Sequence, residues 1–126
     1  MSNTAKKKDV SLTNGEQRFA DLIWAHEPIA SMALVRLAEE VFTWKKSTTF
    51  TVLKTLCNKG LFRNENAVVT AILTKDEFLA VQSRQYVEDS FGGSLPQFLA
   101  AFMGGKKLSE HQTDELLWLI NEHKEG

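Results

Sequence analysis

Apolar residues recur at helical spacing through most of this chain, and the polar residues between them supply the stops. Thr13-Asn14-Gly15-Glu16 has the form of a capping box, a hydroxyl cap with Glu three residues on. Phe19, Leu22, Ile23 and His26 follow on one face, so a first helix is expected over about 14–26, ended by Glu27-Pro28. Ser31 is the expected cap of a second helix, whose apolar face is Met32, Val35 and Leu37 to Ala38 and whose end lies near Val41. Residues 42–47 link it to a third helix over about 47–59. There Thr49, Val52, Leu53 and Leu56 fall on one side at 100° per residue. Ser47, Thr51, Lys54 and Asn58 fall on the other, with Phe50 and Thr55 on the flanks, and Gly60 is placed to end the helix.

The period then changes. Residues 61–63 and 67–73 read as two short strands around an Asn64-Glu65-Asn66 turn. Helices followed by a hairpin predict a winged helix-turn-helix over residues 12–73, with the third helix as the reader. Thr74-Lys75-Asp76-Glu77 is a second capping box and opens a long helix over about 75–90, which Gly92-Gly93 breaks. Ser94 caps a short helix to about 103, Gly104-Gly105 breaks that, and Ser109 caps a last helix over about 110–123. The expected fold class is therefore mainly α with a small β-hairpin wing: a winged head and a helical dimerisation region over residues 74–126. Residues 1–11 are expected to be a flexible basic arm.

The tail implies association. Phe91, Leu95, Phe98, Leu99, Phe102, Leu116, Trp118 and Leu119 sit on short helices with no further element to cover them. Each contributes roughly 1.5–3 kcal/mol when buried, and together they exceed the apolar patch that monomers tolerate. A twofold copy of the chain is the simplest cover.

Charge refines this picture. The net charge is −1, but residues 1–73 carry 10 Lys and Arg against 7 Asp and Glu, and residues 74–126 carry 5 against 9. A basic head on an acidic tail fits double-stranded DNA held by the head alone. Lys45, Lys46 and Arg63 flank the reader and suit phosphates. Ser47, Thr48, Thr51, Lys54, Thr55 and Asn58 are candidates for the groove, Asn being able to pair with adenine through two hydrogen bonds. Phe50 admits two readings, contact with a thymine methyl or packing against the second helix. The plain alternative for the whole stripe is a solvated helix face, which would make the domain a protein-interaction module without DNA.

Other chemistry finds no support. No nucleophile, acid–base or phosphate-cradling pattern is present, so no enzyme is expected. His26, His111 and His123 lack ligand spacing with one another or with Cys57, the single cysteine, so neither a metal nor a cofactor is expected, and no small-molecule ligand is evident. The longest apolar run, Phe98 to Met103, is six residues, well short of the ~18–20 that span a bilayer. No apolar segment follows the Lys-rich start, and a cytoplasmic protein is the expectation.

The order Trp24, Thr48-Thr49, Leu56, Lys59-Gly60-Leu61, then Phe91-Gly92-Gly93-Ser94-Leu95 and Leu108-Ser109-Glu110 resembles the penicillinase-repressor family, also called BlaI/MecI/CopY, over about residues 12–122. That resemblance implies a homodimeric repressor on a palindromic operator of a resistance or copper-homeostasis operon. It further implies, for the β-lactam branch, a membrane sensor-protease that triggers cleavage in the tail, at the position of Ala101-Phe102. Here Ala101 stands where those repressors carry Asn. The Cys-x-Cys motifs of the copper branch are absent, the wing is shorter than the family's, and Thr55 stands near a usual Arg.

Overall fold

The structure, a computed structural model, describes residues 10–125. Its elements in chain order are α1 (Asn14–His26), β1 (Ile29–Ala30), α2 (Ser31–Phe42), α3 (Lys46–Asn58), β2 (Phe62–Glu65), β3 (Val68–Ala71), α4 (Lys75–Phe91), α5 (Leu95–Phe102) and α6 (Glu110–Glu122). The described chain forms two compact units, the first ending at Gln85 and the second beginning at Tyr86. It is mainly helical with a small antiparallel sheet, as the residue pattern predicts.

The first unit is built on local signals that close correctly. Thr13 caps α1 with its hydroxyl while Glu16 reaches back to the Thr13 N–H, so both halves of the box form. Phe19, Ala20 and Ile23 of α1 are buried, with Leu34 and Ala38 of α2 and Leu53 and Leu56 of α3. Leu61, Phe62 and Val69 of the hairpin region complete the core from below, and Phe78 of α4 enters it fully buried. The expected head–tail boundary at residues 73–74 thus differs from the compact division, because α4 begins as part of the first unit's core. Trp24 sits between Phe62 and Phe78, at centroid distances of 5.3 and 5.7 Å, and donates its indole N–H to the Leu73 carbonyl at 2.9 Å. A half-buried indole packed among rings is well served by such an acceptor. Trp44, after α2, packs at tilted angles against Phe19 and Phe42 and so fixes the link into α3.

Three expectations are corrected. Ser31 does not cap α2: Ala30 holds the N-cap without a side-chain bond, while Ser31 is buried and its N–H donates to the Ala67 carbonyl at 2.8 Å. The buried face of α2 is Ser31, Leu34, Val35 and Ala38, and Met32 is 43% exposed; the core meets the helix one step round from the stripe drawn through Met32. The wing turn is not Asn64-Glu65-Asn66. β2 continues through Glu65, with Asn64 opposite Val69 and Glu65 opposite Val68, and the turn is Asn66-Ala67, at φ 53° and 61°.

The sheet also has a third strand. β1 pairs antiparallel with β3, giving the order β1-β3-β2. The Glu27 carboxylate takes the Ala71 N–H at 3.1 Å. Of the expected basic arm, residues 1–9 lie outside the described residues. Val10 and Ser11 are held: Gln82 donates to the Val10 carbonyl and Lys59 to the Ser11 carbonyl.

In the second unit, Gly92 and Gly93 take positive φ and end α4, and Ser94 caps α5 through the Gln97 N–H. Ser109 and Gln112 form a capping box on α6. Tyr86, Phe91, Phe98 and Phe102 make a chain of ring contacts 5.7–6.1 Å apart. Even so, no described residue from Tyr86 onward is buried in the single chain.

Candidate nucleic-acid interface

α3 presents its two faces as the spacing requires. Thr49, Leu53 and Leu56 point into the core, Ser47, Thr51, Lys54 and Asn58 are exposed along the opposite side, and Thr48 is exposed on its flank. Thr55 and Phe50 are half-buried, and Phe50 packs against the core cluster. Of the two readings of Phe50, packing against the protein is the one its surroundings favour.

Several hydroxyls on this helix are already committed. Thr51 donates to the Ser47 carbonyl at 2.9 Å and Thr55 to the Thr51 carbonyl at 3.1 Å; on the inner face Thr49 donates to the Lys45 carbonyl at 3.2 Å. This back-bonding is the usual resort of Thr within a helix. It leaves the exposed Thr51 oxygen able to act as an acceptor.

The start of α3 is built against its own stability. Lys45 occupies the N-cap position with no side-chain cap bond, and the first turn contains Lys46 and no acid. Cations at a helix N-terminus oppose the macrodipole and cost a few tenths of a kcal/mol, up to about 1. Uncapped N–H groups at the same end want an acceptor. Both features suit an anion from outside the chain, and phosphate is such an anion.

The wing lies next to this helix in sequence and packs against it. Gly60, at φ 87°, turns the chain out of α3, and the Leu61 N–H returns to the Leu56 carbonyl at 3.1 Å. Arg63 on β2 is exposed but not alone: its Nε lies 3.7 Å from a Glu65 carboxylate oxygen. Lys59 has a structural role, bridging the Glu16 carboxylate at 3.1 Å and the Ser11 carbonyl at 2.8 Å. Those two partnerships were not read from the sequence. The Glu65 pairing had a signal, since residues two apart on a strand share a face; the Lys59 pairing spans 43 positions and had none. Burial pushes the Cys57 thiol up, so it stays protonated and packs as a small apolar group. Among the described residues no group of three or more His, Cys, Asp or Glu could hold a metal, and no helix is long and apolar enough to cross a membrane.

In the second unit Phe91, Phe98, Leu99 and Leu116 are half-buried, while Leu95, Phe102, Trp118 and Leu119 are 54%, 68%, 63% and 48% exposed. Ala101 is exposed and Phe102 is the last residue of α5.

The penicillinase repressor family model matches residues 12–122, a span that takes in both units. The penicillinase repressor of Bacillus licheniformis is 24% identical over 122 residues, which cover 94% of this chain and 95% of that protein. A winged helix-turn-helix with an outward polar stripe and a match over nearly the whole chain lead to one conclusion: the chain belongs to the penicillinase repressor family, and is a DNA-binding regulator of transcription, not an enzyme.

Proposed function

We propose that this protein is a cytoplasmic repressor that binds a palindromic operator as a homodimer. The observation that carries the DNA-reading role is the exposed stripe Ser47, Thr48, Thr51, Lys54 and Asn58 on a core-anchored helix, with Lys45 and Lys46 at its start and Arg63 exposed on β2. Asn58 and Lys54 contact base edges, the hydroxyls read or brace, and the lysines at the start of α3 hold phosphates. Thr55 and Phe50, being half-buried, support the stripe from its flanks.

Dimerisation goes through Phe91, Leu95, Phe98, Leu99, Phe102, Leu116, Trp118 and Leu119. It is supported by their incomplete burial in the single chain. Two linked heads bind two half-sites with far more affinity than either alone. Release would follow from cutting the tail at Ala101-Phe102, at the exposed end of α5, under a membrane sensor-protease of the kind the β-lactam branch uses.

Lys54→Ala with Asn58→Ala tests the reader. Binding to a labelled duplex from upstream of the protein's own gene is expected to fall at least about tenfold, while sedimentation still gives a dimer. Unchanged affinity overturns the groove-facing assignment of α3. The second reading, a protein-interaction domain without DNA, is favoured by the wing, which carries one cation and one anion. It is the reading that survives if no salt-sensitive shift is seen at micromolar protein.

A further inference from the structure

The wing of this chain spans residues 62–71 and contains two charged side chains, Arg63 and Glu65, both on β2. Strand alternation puts them on one face, opposite Thr70 and Val68 of β3, and turns Phe62, at the strand's start, to the core. The two charges meet at 3.7 Å with their side chains 53% and 70% exposed. An exposed pair of this kind contributes only about 0–1 kcal/mol to stability. Its stability value is therefore too small to explain why the wing's single cation faces a carboxylate. Its electrostatic effect on an approaching phosphate is larger, because a wing that would present +1 presents zero.

We infer that Glu65 is an affinity-limiting residue: it holds the Arg63 guanidinium away from DNA phosphate and so weakens the wing's grip on the duplex. The inference rests on the DNA-binding reading above. Glu65 does not read bases. It acts through Arg63, in competition with the phosphate for the same guanidinium, and its effect is sequence-independent and screened by salt.

The consequence is a head whose affinity comes chiefly from α3 and from the pairing of two heads. With the wing neutralised, a single head has fewer phosphate contacts, and occupancy depends more steeply on the dimer. Such a repressor releases DNA more completely when its two copies separate.

The test is a double-mutant cycle with the full-length protein and a labelled duplex from upstream of its own gene. Affinity is measured by anisotropy over a range of salt for the wild type, Glu65→Gln, Arg63→Ala and the double variant. Thermal unfolding of each shows that the fold is retained. Glu65→Gln is expected to bind roughly threefold to tenfold more tightly at low salt. Its log–log salt slope should steepen by about 0.9, one additional phosphate contact. In the Arg63→Ala background the same change is expected to do little.

A gain of equal size without Arg63 overturns the inference, since Glu65 would then repel DNA directly. No gain, or a loss, with the wild type binding normally also overturns it and leaves the DNA reading intact. Absence of salt-sensitive binding in all four proteins defeats the DNA reading, and this inference with it.

Discussion

Glu16 ties the start of α1 to the end of α3 with one carboxylate. Its Oε1 accepts from the Thr13 N–H at 2.9 Å and from the Lys59 ammonium at 3.1 Å, and its own N–H donates to the Thr13 hydroxyl oxygen at 3.1 Å. The bond from the Thr13 backbone, more than the neighbouring Lys59 charge, holds its pKa below the ordinary carboxylate value, against a smaller opposing effect of burial. A folded value below the unfolded one means that the unfolded chain binds more protons as the pH falls. The stabilisation is therefore complete above the unfolded value of about 4.3 and is lost as the pH drops through the folded one. Glu16→Gln is expected to unfold more easily than the wild type at pH 7. The two denaturation curves should converge as the pH is lowered from about 5 towards 3. A constant difference across that range would refute the linkage. Half of this arrangement was legible beforehand: the Thr13–Glu16 box is a three-residue signal that local geometry enforces. Lys59 joining it depends on how α3 packs against α1, and no local pattern carries that.

At the scale of elements, the periodic helices and the two strands of the wing were readable, and the sheet's third strand and its exact turn were not. α1, α5 and α6 begin directly after their capping residues, and α3, which has no side-chain cap, begins and ends within a residue of the bounds its apolar stripe and Gly60 suggest, because caps and apolar stripes are both local. β1 has two residues, too few to show any alternation, and exists only because β3 pairs with it. The wing turn was misplaced for a related reason. Asn64 and Asn66 carry equal turn propensity, and only the cross-strand register, with Phe62 opposite Ala71, decides between them. The register puts Ala67 at φ 61°, a left-handed conformation that costs a residue bearing a Cβ about 1 kcal/mol or more. Two-residue hairpins with both central φ positive favour Asn-Gly. Ala67→Gly is expected to stabilise the head by about 0.5–1 kcal/mol, after allowing for glycine's greater freedom when unfolded. A rise of a few degrees in the thermal midpoint checks it, and a fall would show that the Ala67 methyl packs to greater benefit than its backbone costs.

For the whole molecule, the two units are stabilised differently. The first buries Phe19, Phe62 and Phe78 completely and has its own core. The second, among its described residues, buries nothing completely in one chain. That contrast was the most legible property of the sequence at this scale, since apolar residues without enough elements to cover them can be counted in advance. Leu99→Asp with Leu119→Asp is expected to give monomers by sedimentation, with operator affinity lower by about a hundredfold or more. A well-formed dimer after both changes would place the interface elsewhere. The placement of the three tryptophans makes this separable by light. Trp24 and Trp44 are clamped among rings in the head, and Trp118 stands on α6 mostly in water. Two indoles thus report whether the head has melted, while the third, in the proposed dimer, changes its emission as the partner shields it, so a dilution series in a fluorimeter tests for parting separately from unfolding without any added dye.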